Sequence, residues 1–126
     1  MSIMKILKYW KSLVYGLLIL YVSFMPTQSL NKFDVINKND KIIHFTLYMV
    51  FAFILFFDLK LEKLLSKTSL QIFIITIIFS ILTELFQRYI FTYRSGSILD
   101  FAANVGGVCS AYLIFYSIKF IKQLVY

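Results

Sequence analysis

Four apolar runs, each close to the length that crosses a lipid bilayer, leave this chain very few possible folds. A hydrocarbon layer about 30 Å thick takes roughly 20 helical residues. With no water there, a spanning backbone must satisfy its own amides and carbonyls, which a helix does within one segment. The runs predict helices over roughly 6–25, 40–59, 69–91 and 97–119, in up-down order with short connections. Composition points the same way. The chain is 60% hydrophobic and 15% charged, where soluble domains carry roughly a quarter charged residues, and its mean hydropathy is +0.81. At 126 residues it reads as one domain, 1–126. The expected fold class is all-α, an integral-membrane bundle of four transmembrane helices.

The net charge of +7 is not a nucleic-acid footprint. Lysines and arginines sit at segment ends, where they snorkel to the interface and meet anionic lipid. The expected partner is therefore the lipid bilayer, with no nucleic acid. A single cysteine, Cys109, lies in an apolar run and excludes an intrachain disulfide.

Lys5, Lys8 and Lys11 surround Trp10 and make a basic, aromatic start. The run Ser12 to Met25 then stops at Pro26. A secretory signal peptide shares a basic start and an apolar core, but Phe24-Met25-Pro26 is bulky where a cleavage site needs small residues. A retained first helix is expected. Residues 27–39 are polar and read as a loop, after which Asp40 suits an N-cap because its carboxylate accepts bonds from free first-turn amides. Residues 58–68 mix both charges with leucines and read as an interfacial connection.

Orientation follows from lysines and arginines. Eight (Lys5, Lys8, Lys11, Lys60, Lys63, Lys67, Lys119, Lys122) fall on one side and five (Lys32, Lys38, Lys41, Arg88, Arg94) on the other. The heavier side should be cytoplasmic, with both termini. The loop before the second helix and the turn between the third and fourth then share the outer side. Asp40, Lys41, His44, Glu84, Gln87, Arg88, Arg94, Asp100 and Asn104 can meet there. Polar and ionisable groups at membrane depth are costly to keep, which makes this end a candidate site.

Each of these groups also has a local reading. Glu84 and Arg88 are four apart and can pair along one helix. Ser97 and Asp100 have capping-box spacing, and an acid in a first helical turn favours the helix dipole. Neither explains Asn104, one turn deeper, whose amide needs partners such as Glu84 or Gln87 across the hairpin. Ala103, Gly107 and Ala111 are spaced by four, as are Ala102, Gly106 and Ser110, and these small residues let the fourth helix approach a neighbour closely. Arg94 stands before a helix N-terminus, where it can fork onto a phosphate or bridge to Asp100 or Glu84. No HExxH, paired histidine or cysteine pair is present, so neither a metal nor another cofactor is expected.

These motifs resemble the VanZ-like family of small bacterial membrane proteins. The early motif is Asp40-Lys41-Ile42-Ile43-His44-Phe45 with Tyr48, and the later one is Glu84, Gln87, Arg94, Asp100, Asn104 and Gly107. The resemblance covers about residues 25–115 and implies a multi-pass protein of the bacterial inner membrane. Its founding member is associated with resistance to teicoplanin, a glycopeptide-type antibiotic of the cell envelope. Three functions are expected to compete. One is binding of an anionic lipid or glycolipid headgroup at the outer leaflet. Another is a small intramembrane enzyme, with Glu84 or His44 as catalytic acid-base. The third is assembly with another membrane protein.

Overall fold

A computed structural model of the protein describes residue 3 and residues 8–25, 40–90 and 97–125. Among the described residues it is all-helical, with four helices: α1 (Trp10–Phe24), α2 (Asp40–Asp58), α3 (Lys67–Tyr89) and α4 (Ile98–Val125). The last three are long and apolar enough to cross a membrane. α1 has 15 described residues, about 22 Å at 1.5 Å per residue, and is shorter than a span. Residues 4–7, at the start of the first predicted helix, lie outside the described residues.

Cross-helix contacts fix the directions. Ser12 near the start of α1 meets Asp58 at the end of α2. Tyr48 and Thr83 join α2 to α3, while Asn104 early in α4 reaches Glu84 late in α3 and Tyr112, midway along α4, reaches Ser69 early in α3. Successive helices therefore alternate in direction, as the apolar runs predict.

The helix ends differ from expectation in instructive ways. α3 begins at Lys67 rather than Ser69, because the Ser66 hydroxyl caps it by accepting from the Ser69 amide at 3.1 Å. α4 continues past Lys119 to Val125. No glycine or proline follows Gly107 to stop it, and its 28 residues extend about 42 Å. Residues 58–68 are more than a surface connection. Asp58 is the last residue of α2 and is buried; its Oδ2 accepts from the Ser12 amide at 3.0 Å and the Ser12 hydroxyl at 2.6 Å. A carboxylate from α2 thus caps the positive end of α1. Lys60 then turns left-handed (φ 51°) and the Leu61 amide returns to the Phe56 carbonyl at 2.8 Å, closing a Schellman-type end. Leu61 is carried into the core. The Lys119 ammonium of α4 reaches over the turn to the carbonyls of Leu61 and Glu62.

The closest helix pair is α2 with α4, and Gly107 makes that approach possible. A Cβ built there falls on the Phe45 carbonyl oxygen and lies 3.0 Å from the Met49 amide nitrogen. The two backbones are in direct contact. Around this seam pack aromatic rings, Phe56 against Tyr112 and Phe115 at 4.9 and 5.0 Å, and Phe51 against Phe79 at 5.4 Å.

α3 is polar inside and apolar outside. Its buried face reads Ser69, Ile72, Thr76, Ser80, Thr83 and Gln87, spaced by three or four. Its exposed face is isoleucine, leucine and phenylalanine, including Ile74, Ile78, Ile81 and Leu85. The inner hydroxyls are satisfied locally: Thr76 donates to the Ile72 and Phe73 carbonyls, and Thr83 to the Ser80 carbonyl. Since Thr83 has already used its proton, Tyr48 is the donor in their 2.8 Å bond.

Candidate functional site

The polar residues that matter most gather where α2 and α4 begin and α3 nears its end. Asp40 and His44 are one turn apart on α2 and so share a face. Ser80 and Glu84 do the same on α3, and Asp100 and Asn104 on α4. Ser97 starts α4 by accepting from the Asp100 amide at 3.1 Å, half of the expected capping box, and this places Asp100 in the first turn.

Asn104 is the hub, fully buried and bonded to both neighbouring helices. Its amide nitrogen donates to Ser80 Oγ at 2.9 Å and to Glu84 Oε1 at 3.3 Å. Its Oδ1 faces His44 Nδ1 at 3.1 Å. An amide oxygen only accepts, so Nδ1 carries the hydrogen. His44 Nε2 is thereby turned towards Asp40, 3.8 Å from its Oδ1. Glu84 Oε1 lies 3.7 Å from His44 Nδ1. The hairpin contact expected for Asn104 is made, and it is made to Glu84.

Two carboxylate oxygens are left over. Glu84 Oε2 and Asp100 Oδ1 are buried with no hydrogen-bond partner among the described residues. Asp100 as a whole is only 5% exposed. A buried, unpartnered carboxylate oxygen forfeits its hydration without compensation, so among the described residues these two atoms have binding capacity left over.

Other expected members take different places. Gln87 is buried but turns to α1, donating to the Ser23 carbonyl at 2.8 Å. It fastens helices rather than lining the cluster. Lys41 and Arg88 are exposed. The expected Glu84–Arg88 ion pair does not form, because the Glu84 carboxylate faces inward to Asn104 and His44 while Arg88 is exposed. Arg94 lies outside the described residues. The stripe Ala103, Gly107, Ala111 is spent within the chain: Gly107 packs on α2 and Ala111 is fully buried.

Sequence reasoning missed Ser80, the hydroxyl that fixes the Asn104 amide, and Ser23, the acceptor for Gln87. Both had a signal. Ser80 falls in the period of small and polar residues along α3, and Ser23 follows Ser12, Gly16 and Ile19 on the buried face of α1. An apolar groove lies elsewhere, between α1, α2 and α3 towards Tyr9 and Leu59, and is lined mainly by residues such as Leu13, Leu17 and Ile75. It holds none of the clustered acids, so it is not the site.

Compared with protein-family models, with curated proteins and with solved structures, the chain matches none.

Proposed function

We propose that this is a multi-pass membrane protein, of the VanZ-like kind that its motifs resemble, which holds a polar lipid or glycolipid headgroup at one end of its helices. The membrane part rests on three helices long and apolar enough to span and on the inverted pattern of α3, with hydroxyls inside and isoleucines outside. Such a surface suits acyl chains and not water. α1 joins as a shorter helix. With the basic ends cytoplasmic, the cluster faces the outer leaflet of the bacterial inner membrane.

The observation that carries the headgroup reading is the convergence of His44, Glu84, Asp100 and Asn104 from three helices with two carboxylate oxygens unspent among the described residues. Capping and local pairing require nothing of the kind. The described groups are acidic, so they suit the ammonium or hydroxyl part of a headgroup, such as ethanolamine or an amino sugar. A link to glycopeptide resistance would follow if the headgroup belongs to an envelope precursor. A second reading, an intramembrane enzyme with Glu84 and His44 as acid-base pair, is favoured by their 3.7 Å separation. Assembly with another membrane protein is a third reading: Gly107 and Ala111 are used internally, whereas Ala102, on the second small-residue face with Gly106 and Ser110, is exposed.

Native mass spectrometry of the protein taken from vesicles of phosphatidylethanolamine and phosphatidylglycerol tests the headgroup reading. The wild type should retain lipid through detergent exchange, phosphatidylethanolamine in preference, and Asp100→Asn should retain less. Equal retention by Asp100→Asn and wild type, with both folded, would leave the site without a headgroup role.

A further inference from the structure

The same end of the molecule carries a metal-type donor set that overlaps the proposed headgroup site at His44 and Asp100 and adds Asp40. Asp40, His44 and Asp100 each offer one ligand atom, and these atoms all lie within 4.8 Å of one another. We infer that Asp40, His44 and Asp100 form a binding site for a divalent transition-metal cation of the zinc or manganese type.

Four features of the cluster support this, one of them, the unpartnered Asp100 Oδ1, shared with the headgroup reading. Asp40 and His44 are four apart, so one helical face presents a carboxylate and an imidazole together. Asp100 comes from the first turn of a different helix and closes the set from across the interface. Its Oδ1 is buried and without a hydrogen-bond partner among the described residues, a lone pair that a cation satisfies directly. The histidine is also prepared: Nδ1 is hydrogen-bonded to Asn104 Oδ1 at 3.1 Å, and Asn104 is itself held by Ser80 and Glu84. Metal-bound histidines are oriented in this way through the other ring nitrogen.

The distances are those of a site that tightens on loading. Bonds of about 2.0–2.2 Å at tetrahedral angles put ligand atoms roughly 3.3–3.5 Å apart. The 3.8 Å between His44 Nε2 and Asp40 Oδ1 is already near that value, and the 4.8 Å bound needs closure of at most roughly 1.5 Å, within reach of rotamer adjustment. One imidazole and two carboxylates favour zinc, manganese or iron over calcium and magnesium, which prefer all-oxygen sites. No local spacing announces the set, because its members come from residues 40, 44 and 100.

The test uses the full chain in detergent micelles, freed of any affinity tag and stripped with EDTA. Isothermal titration with zinc chloride should saturate at one ion per chain, and zinc should raise the unfolding temperature. An excess of magnesium should not displace it. His44→Gln and Asp40→Asn should each weaken zinc binding at least roughly tenfold, the scale on which even outer-shell losses act. Asp58→Asn, which alters a buried carboxylate at the opposite end, should bind as wild type does. Asp40 is partly exposed, so Asp40→Asn keeps the experiment decisive if His44→Gln does not fold. Cobalt should give visible absorption in the wild type that is absent in either variant. A wild type without saturable binding overturns the site, and so does binding unchanged in Asp40→Asn.

Discussion

Gly107→Ala is expected to destabilise the protein by about 3 kcal/mol or more, whereas Gly106→Ala, one residue away, should be close to neutral. At position 107 the added methyl falls on the Phe45 carbonyl oxygen of α2. That atom belongs to a helix backbone and has no rotamer through which to retreat. Relief requires α2 and α4 to separate, which would loosen Phe56 from Tyr112 and Phe115. Overpacking in a core costs about 1–3 kcal/mol when side chains can adjust, and the backbone contact puts this case at or above that range. At position 106 the methyl meets only the Phe45 ring at 3.5 Å, and alanine's helix preference of about 0.5–1 kcal/mol offsets the contact. Unfolding of both variants in the same detergent supplies the comparison. Equal stability of the pair would mean that the two helices do not touch as described.

Asn104→Leu should cost about 2–3 kcal/mol and should also misplace His44. Single interhelical polar contacts in membranes average about 0.6 kcal/mol and reach about 1.7. Here one amide serves Ser80, Glu84 and His44 together, and leucine leaves all three buried without it. Removing one partner while the other stays buried is the costly way to break a polar contact. Asn104→Asp should recover less than half of the loss, since it restores an acceptor for His44 but sets another carboxylate beside Glu84. Chemical shifts of the His44 ring in labelled protein would report its displacement. A stable Asn104→Leu protein with an unshifted His44 ring would remove Asn104 from the centre of the cluster.

Much of this arrangement was legible in the sequence, for reasons that can be named. Apolar runs of helical length place α2, α3 and α4, and their alternation brings residues 40, 84 and 100 to one end before any contact is known. Spacing by four announces the Gly107 face, although not that α2 is the helix it meets. Other features depend on where a side chain turns. Gln87 follows Glu84 by three residues, yet it reaches Ser23 on α1, because two residues 64 positions apart share no pattern. Asp58 sits beside charged residues and resembles a surface acid. Only the antiparallel return of α2 shows that it caps α1. Glu84 had a plausible local partner in Arg88, and burial of Asn104 drew the carboxylate the other way. The metal donors are split between helices and escape any motif search.

What separates a ligand site from a set of structural contacts is whether the fold needs the negative charge at this end. Unfolding of the Glu84→Gln, Asp100→Asn double variant, measured beside wild type in detergent with EDTA, asks this directly. Both replacements keep shape and remove charge, and Glu84 Oε2 and Asp100 Oδ1 have no described partner to lose. Sites kept for binding are commonly retained at the expense of stability. The double variant should therefore unfold at the same temperature as ligand-free wild type or a few degrees above it, on the scale of about 2–8 °C per kcal/mol, and zinc should no longer raise it. An unfolding temperature well below that of ligand-free wild type would show that the carboxylates hold the helices together, and would contradict a ligand site there.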